Sequence, residues 1–315
     1  MHNLEMANSA LVLPEQASIH FYFTPHGLAE DAPRMPELIR KADIFAPEVL
    51  NWSPEHAFAY EKISKGDRKV LESWRAVLPE GSFSAFQLKS LYNTWVPVVM
   101  FDIEEGNPIV DAVHTSLDDL SLSEIYRPDF EDTIHAMREK FVDGLGPSAQ
   151  QREEHMVVKL SERVTELIEK HPKLRHKDDV SVLVTLGAEH TNVYHQIRRL
   201  HQNPQNVTRE FDKLPIIYPN FINCMRALQF GKLLTDTMIA RSFADNIVHA
   251  AINIRDHSLE FSNSGDRGQR VAVAVGHLSL NEIRLIHADL VRELALDQDL
   301  TLEYPVISRI IDELV

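Results

Sequence analysis

Apolar and polar positions alternate or cluster in ways that lay out an α/β chain. Residues 17–24, Ala-Ser-Ile-His-Phe-Tyr-Phe-Thr, are rich in strand formers and stop at Pro25-His26-Gly27. Residues 33–42 place Leu38, Ile39 and Ala42 on one side of a short helix, and residues 43–50 read as a second short strand interrupted near Pro47. Strand, helix and strand in so short a span predict a βαβ unit with a parallel pair. Residues 54–95 are helical in pattern with a break at Pro79-Glu-Gly81, and Val96–Ile103 reads as a third strand closed by the turn Glu104-Glu-Gly-Asn-Pro108.

Residues 118–143 read as interrupted helix ending at Gly144-Leu-Gly-Pro147. A long amphipathic helix then runs from about Ser148 to Lys170, with Met156, Leu160, Val164, Leu167 and Ile168 at helical spacing. Val180–Leu186 is the clearest strand, a near-continuous apolar run suited to a parallel strand covered on both faces. Residues 191–201 read as helix, 203–219 as a polar, proline-containing linker, and 220–256 and 271–315 as mainly helical, with Val271–Val275 open to a strand reading. The expected architecture is therefore α/β, with a mostly parallel central sheet flanked by helices. Its parts are a core over 1–202 with a helical insertion near 52–150, and a mainly helical region over 203–315. That last region carries amphipathic stripes (Phe221, Met225, Leu228 and Phe230, then Ile283, Ile286, Leu290 and Leu294) which must bury against the core or a second copy in a homo-oligomer.

Composition narrows the function classes. Apolar residues make up 44% of the chain and charged residues 25%, as in packed globular proteins. A formal net charge of −15 opposes non-specific binding to nucleic acid or anionic membrane. The single cysteine, Cys224, cannot form an internal disulfide. No apolar stretch reaches membrane-span length, and the first fifteen residues lack the pattern of a signal peptide, so a cytoplasmic location is expected.

Candidate chemistry gathers at strand ends. His26 follows the first strand, Glu48 ends the second, and His190 follows the last. Side chains at the carboxyl ends of parallel strands converge on one crevice, where ligands bind. Two imidazoles and a carboxylate there could ligate a divalent metal or activate water directly. Against this stands the plain count of 16 histidines, which makes surface imidazoles common. Arg152 and Glu153 open the long helix; the arginine can clamp a carboxylate or phosphate, while the acidic residues could simply complement the helix dipole. Asp102, Glu104 and Glu105 are a secondary candidate for the same rim, with a solvated turn as the other reading. Trp52, Trp74, Trp95, Met156 and Met225 read as core or surface packing.

Four segments taken in order, Thr24-Pro-His26-Gly27, Ala42-Asp-Ile-Phe-Ala-Pro-Glu48, Arg152-Glu-Glu-His-Met156 and Val184-Thr-Leu-Gly187-Ala-Glu-His190, resemble the TraB/Tiki/ChaN/erythromycin-esterase superfamily over about residues 17–200. Gly187-Ala-Glu-His190 matches the Gly-x-x-His motif in full; Phe23 stands where the family has glycine, and Glu153 where aspartate or asparagine is usual. The resemblance implies a hydrolase acting on a peptide or ester bond of a peptide or small-molecule substrate. Tiki-like members are manganese- or cobalt-dependent proteases, and erythromycin-esterase-like members use histidine to activate water. On that basis His26, Glu48 and His190 are the expected metal ligands or water activators, with Arg152 orienting substrate or stabilising developing negative charge and Glu153 holding Arg152 or a histidine in place. The haem-binding, lipid-anchored ChaN branch fits poorly, because the chain has no N-terminal lipobox cysteine. Phe23 and Glu153 motivate the alternative, a binding or regulatory protein that keeps the fold with a decayed site.

Overall fold

The computed structural model describes residues 13–24, 32–79, 81–118, 126–211, 218–255, 266–295 and 301–314. In chain order these form β1 (Ala17–Thr24), α1 (Met35–Lys41), β2 (Ile44–Pro47), α2 (Pro54–Ser64), α3 (Arg68–Arg75), α4 (Phe83–Leu91), α5 (Pro108–Asp118) and α6 (Phe130–Glu139). Then come α7 (Gly146–Lys170), β3 (Val180–Gly187), α8 (Thr191–Leu200), β4 (Val207–Phe211), α9 (Asn220–Gln229), α10 (Asp236–Arg255), α11 (Asp266–Gly276), α12 (Leu280–Leu294) and α13 (Pro305–Leu314). The chain divides into two compact units, 1–110 with 151–214, and 111–150 with 215–315. The insertion expected near 52–150 is thus shared between them, and the later boundary falls after residue 214 because β4 belongs to the sheet.

The first unit holds a four-stranded, all-parallel sheet in the order β2-β3-β1-β4. β3 lies between β1 and β2, so the two strands of the expected βαβ unit share a sheet without being neighbours. β3 pairs from Val180 to Gly187 with Ala17 to Thr24, and Ile44 to Pro47 pair with Val182 to Thr185. Its apolar run is buried almost throughout, as a central parallel strand requires. One face packs Tyr22, Phe45 and Leu183 against Met35, Ile39 and Ile63.

Two strand expectations change. Val96–Ile103 lies beside β2 only through isolated bridges, Phe45 to Val98 and, further on, Trp52 to Glu104. Pro97 has no N–H for a ladder; its carbonyl accepts from Phe45 and the bonding resumes only at Val99. Conversely Val207–Phe211, read as linker, is edge strand β4. Only Val207 is buried, while Thr208, Arg209 and Glu210 give the edge a polar, charged rim of the kind that discourages pairing with another chain.

The second unit has its own apolar core. Met137, Phe141 and Leu145 pack with Phe243, Ile247, Ile286, Leu290 and Ile307. The C-terminal stripes therefore find a partner among residues 134–149 and one another, rather than requiring the sheet, except at their last positions: Phe230 and Leu294, at the ends of α9 and α12, stay 41% and 38% exposed. Val271–Val275 is helical within α11. The helix expected to end at Gly144–Pro147 instead passes through a π-helical turn, Lys140–Leu145, directly into α7. Pro147 supplies no N–H there, and Gly146 is needed for space, since a Cβ would lie 2.7 Å from Leu228 Cδ1 and 2.8 Å from the Phe141 carbonyl.

Asp245 on α10 is buried in this unit, and its Oδ2 accepts from the Asn220 N–H at 2.7 Å while Oδ1 has no hydrogen-bond partner among the described residues. Burial raises its carboxyl to about 6, against the lowering effect of Asn220. A carboxyl raised in the folded state holds its proton there longer than in the unfolded chain, so its ionisation removes stability as pH rises from about 4 to about 6. Asp245→Asn is expected to stabilise the protein above pH 6 by about 1–3 kcal/mol, since each tenfold change in proton affinity corresponds to about 1.4 kcal/mol. Urea melts at pH 5 and pH 7.5 check this: the gain should be larger at pH 7.5, and an equal change at both would remove the ionisation argument.

Candidate active site

The strand ends and the start of α7 bring four of the five expected residues into one buried cluster. Glu48, the residue after β2, is fixed by its own N–H donating to the Thr185 carbonyl at 3.0 Å. Its Oε2 accepts from the Gly187 N–H at 2.6 Å, and its Oε1 from Arg152 Nη2 at 2.7 Å. Arg152 also donates from Nε and Nη2 to Oδ1 and Oδ2 of Asp102, at 3.1 and 2.7 Å. That is the bidentate fork-to-carboxylate geometry which arginine makes and lysine cannot.

Asp102, a secondary candidate by sequence with a solvated turn as the competing reading, is 1% exposed. The stretch after β2 delivers it: the Trp52 N–H donates to the Ile103 carbonyl at 3.2 Å, and the Trp52 indole N–H to the Asp102 carbonyl at 2.7 Å. Asp102 Oδ1 further accepts from the Ile103 N–H at 2.8 Å. Its companions go elsewhere, since Glu104 lies 3.2 Å from His155 Nε2 and Glu105 is exposed.

His190 follows β3 in a single helical turn, Ala188–His190, and is 3% exposed. Its Nδ1 lies 3.3 Å from Glu153 Oε1 and its Nε2 3.2 Å from Glu48 Oε1. Glu153, fully buried, also accepts from the Asn192 amide at 2.9 Å. As neighbours on α7, Arg152 and Glu153 diverge and reach opposite nitrogens of the same imidazole, Arg152 Nη1 lying 3.2 Å from Nε2. Glu153 therefore does more than complement a helix dipole.

The charge of the ring decides between these contacts. A neutral Nε2 would accept from Arg152, whereas a protonated one donates to Glu48. Burial disfavours the charged ring and Arg152 repels it, yet Glu48, by charge and hydrogen bond, and Glu153 outweigh both, pushing His190 up to about 10. The cluster holds three carboxyl groups, Glu48 and Asp102 on the Arg152 guanidinium and Glu153 on the imidazole, against one guanidinium, so a charged imidazole brings it nearer neutrality. Desolvation opposes the charge on Arg152 too, but Asp102 and Glu48 hold its guanidinium well above the ordinary range.

No family model, no curated protein and no solved structure matches this chain.

His26, the remaining expected site residue, lies outside the described residues. Phe23, the departure in the first motif, is buried and stacks on Phe211 at 5.0 Å between ring centroids. Among the described residues no three imidazole, carboxylate or thiol groups are arranged to hold a metal. Both oxygens of Glu48 already accept from donors, Oε1 from the Arg152 guanidinium and Oε2 from the Gly187 N–H. The described donor set does not fit a metal in this arrangement. Gln87, invisible as a site residue in the sequence, holds the side chain of Thr185, whose carbonyl receives the Glu48 N–H: its amide donates to Thr185 Oγ1 at 3.0 Å and its carbonyl accepts from Tyr60 at 2.7 Å. Among the described residues no helix is long and apolar enough to cross a membrane.

Proposed function

We propose that the protein is a hydrolase of peptide or ester bonds, working at the carboxyl edge of the sheet through side chains rather than a bound metal. The observation that carries this reading is His190 held between Glu48 and Glu153 with Arg152 beside it. The two cations divide the work: Arg152 Nη1, which no carboxylate among the described residues engages, is the donor for a carbonyl oxygen that gains negative charge as water attacks, and the charged imidazole beside it is the proton donor. In the proposed reaction water adds to the carbonyl carbon, the bond to the leaving oxygen or nitrogen breaks, and His190 gives its proton to the leaving group. The base that takes the proton of water is assigned to His26. In sequence it stands two residues after Thr24, whose register partner in β3 is Gly187. Asp102 and Glu48 position Arg152, and Glu153 orients the His190 ring.

The experiment is turnover of p-nitrophenyl esters and fluorogenic peptides by the full chain, before and after dialysis against EDTA. Turnover that survives chelation is expected. Loss on chelation with recovery on adding manganese or cobalt would restore the metal-assisted form of the reaction. No turnover on either substrate class would favour the binding or regulatory alternative, in which the closed charge network is structural.

A further inference from the structure

At the opposite, amino edge of the sheet lies a cavity of about 960 Å³, flanked by Ala42 and Asp43 ahead of β2 and by Leu174 and Lys177 ahead of β3. Its size is that of a small-molecule site. Phe58 and Trp95 line it and are 56% and 69% exposed, unusual for large aromatic rings.

Trp95 is also held in a left-handed backbone conformation, φ 59°, which a bulky side chain avoids. The surrounding hydrogen bonds impose it: the Trp95 N–H donates to the Ser64 carbonyl at 2.9 Å, and Ser64 Oγ donates to the Val96 carbonyl at 2.6 Å. The fold thus fixes an indole at the cavity without burying it.

The charge around the cavity is lopsided. Arg40, Lys65, Lys173 and Lys177 line it against two carboxylates, Asp43 and Glu61. Asp43 pairs with Lys177 at 2.6 Å and Glu61 with Lys65. Among the described residues neither Arg40 nor Lys173 forms a direct ion pair, in a protein whose net charge is −15; Arg40 Nε donates to the Pro36 carbonyl at 2.7 Å and acts on Glu37 only by charge, which leaves its terminal nitrogens to the cavity. His171 adds a buried Nδ1 that has no hydrogen-bond partner among the described residues.

We propose that this cavity binds a small planar anion, an aromatic or other flat ring system bearing a carboxylate, sulfonate or phosphate group. The ring stacks on Trp95, with Phe58 beside it, and the anionic group meets Arg40 and Lys173. The site is separate from the cluster at the carboxyl edge and does not depend on the hydrolase reading.

The test is a titration of the full chain with 8-anilinonaphthalene-1-sulfonate, a planar ring system with one anionic group, followed by dye emission and tryptophan quenching. One saturable site is expected. Trp95→Ala and Lys173→Glu should each weaken it at least about tenfold, and the uncharged analogue N-phenyl-1-naphthylamine should bind at least about tenfold more weakly, a tenfold change being about 1.4 kcal/mol. Trp95→Gly serves as the folding control, because glycine accepts the left-handed backbone; it should melt no lower than the native protein and still lose the site. Undiminished binding by Trp95→Gly, or equal binding of the neutral analogue, would overturn the proposal.

Discussion

Arg152→Ala is expected to destabilise the protein by about 3–5 kcal/mol, the cost of leaving buried carboxylates without their counter-charge. The guanidinium satisfies Asp102 through two bonds and Glu48 through a third, and the three side chains of Arg152, Asp102 and Glu48 are 12%, 0% and 10% exposed. A domain is typically stable by only about 5–15 kcal/mol, so the variant should unfold at much lower denaturant. Arg152→Lys should recover little, because an ammonium cannot bridge both Asp102 oxygens and Glu48 together. Urea melts of the two variants measure this. A lysine variant as stable as the native protein would mean that charge alone matters at this position. The double variant Arg152→Met with Asp102→Asn should be less destabilised than the two single changes summed, since it removes charge from both sides of the pair.

The second large effect concerns pH. His190 is raised from 6.5 to about 10, so the folded state holds a proton that the unfolded chain has already released. The stabilisation is fully present below about pH 6.5 and disappears as pH rises through about 10. With about 1.4 kcal/mol for each tenfold change in proton affinity, it amounts to at most roughly 5 kcal/mol. Native protein should therefore lose stability steadily between pH 7 and pH 10. His190→Gln should be less stable at pH 7 and nearly flat over that interval. Parallel slopes for the two proteins would show that the ring is neutral and accepts from Arg152.

Much of this arrangement is legible in the sequence, and the failures have physical causes. The apolar runs of β1 and β3 declare buried parallel strands, and residues just past such strands must lie at the carboxyl edge; that logic finds Glu48 and His190. Arg152 and Glu153 are found by motif, but a charged helix start looks the same whether it faces solvent or a buried imidazole. Asp102 is hidden for the same reason: Asp-Ile-Glu-Glu-Gly-Asn-Pro has the composition of a solvated turn, and the partner that buries it lies 50 residues away. β4 escapes notice because an edge strand is half polar, whereas Val96–Ile103 is over-read because a β-rich stretch broken by Pro97 can lie beside a strand without joining its ladder. Division into two units is a matter of long-range packing, and periodicity alone does not tell whether the helices of residues 111–150 belong with the sheet or with the C-terminal helices.

If His190 and Arg152 act together on a carbonyl substrate, the loss of either the imidazole or the carboxylate that holds it charged must show in the chemical step. The quantity to compare is kcat/KM for the best ester or peptide substrate, between the native protein and folded His190→Gln and Glu48→Gln variants. Each variant should lose at least about 100-fold, the usual scale for losing a positioned proton donor or oxyanion stabiliser. Turnover in either variant within a few-fold of the native protein would contradict a joint role for the two cations.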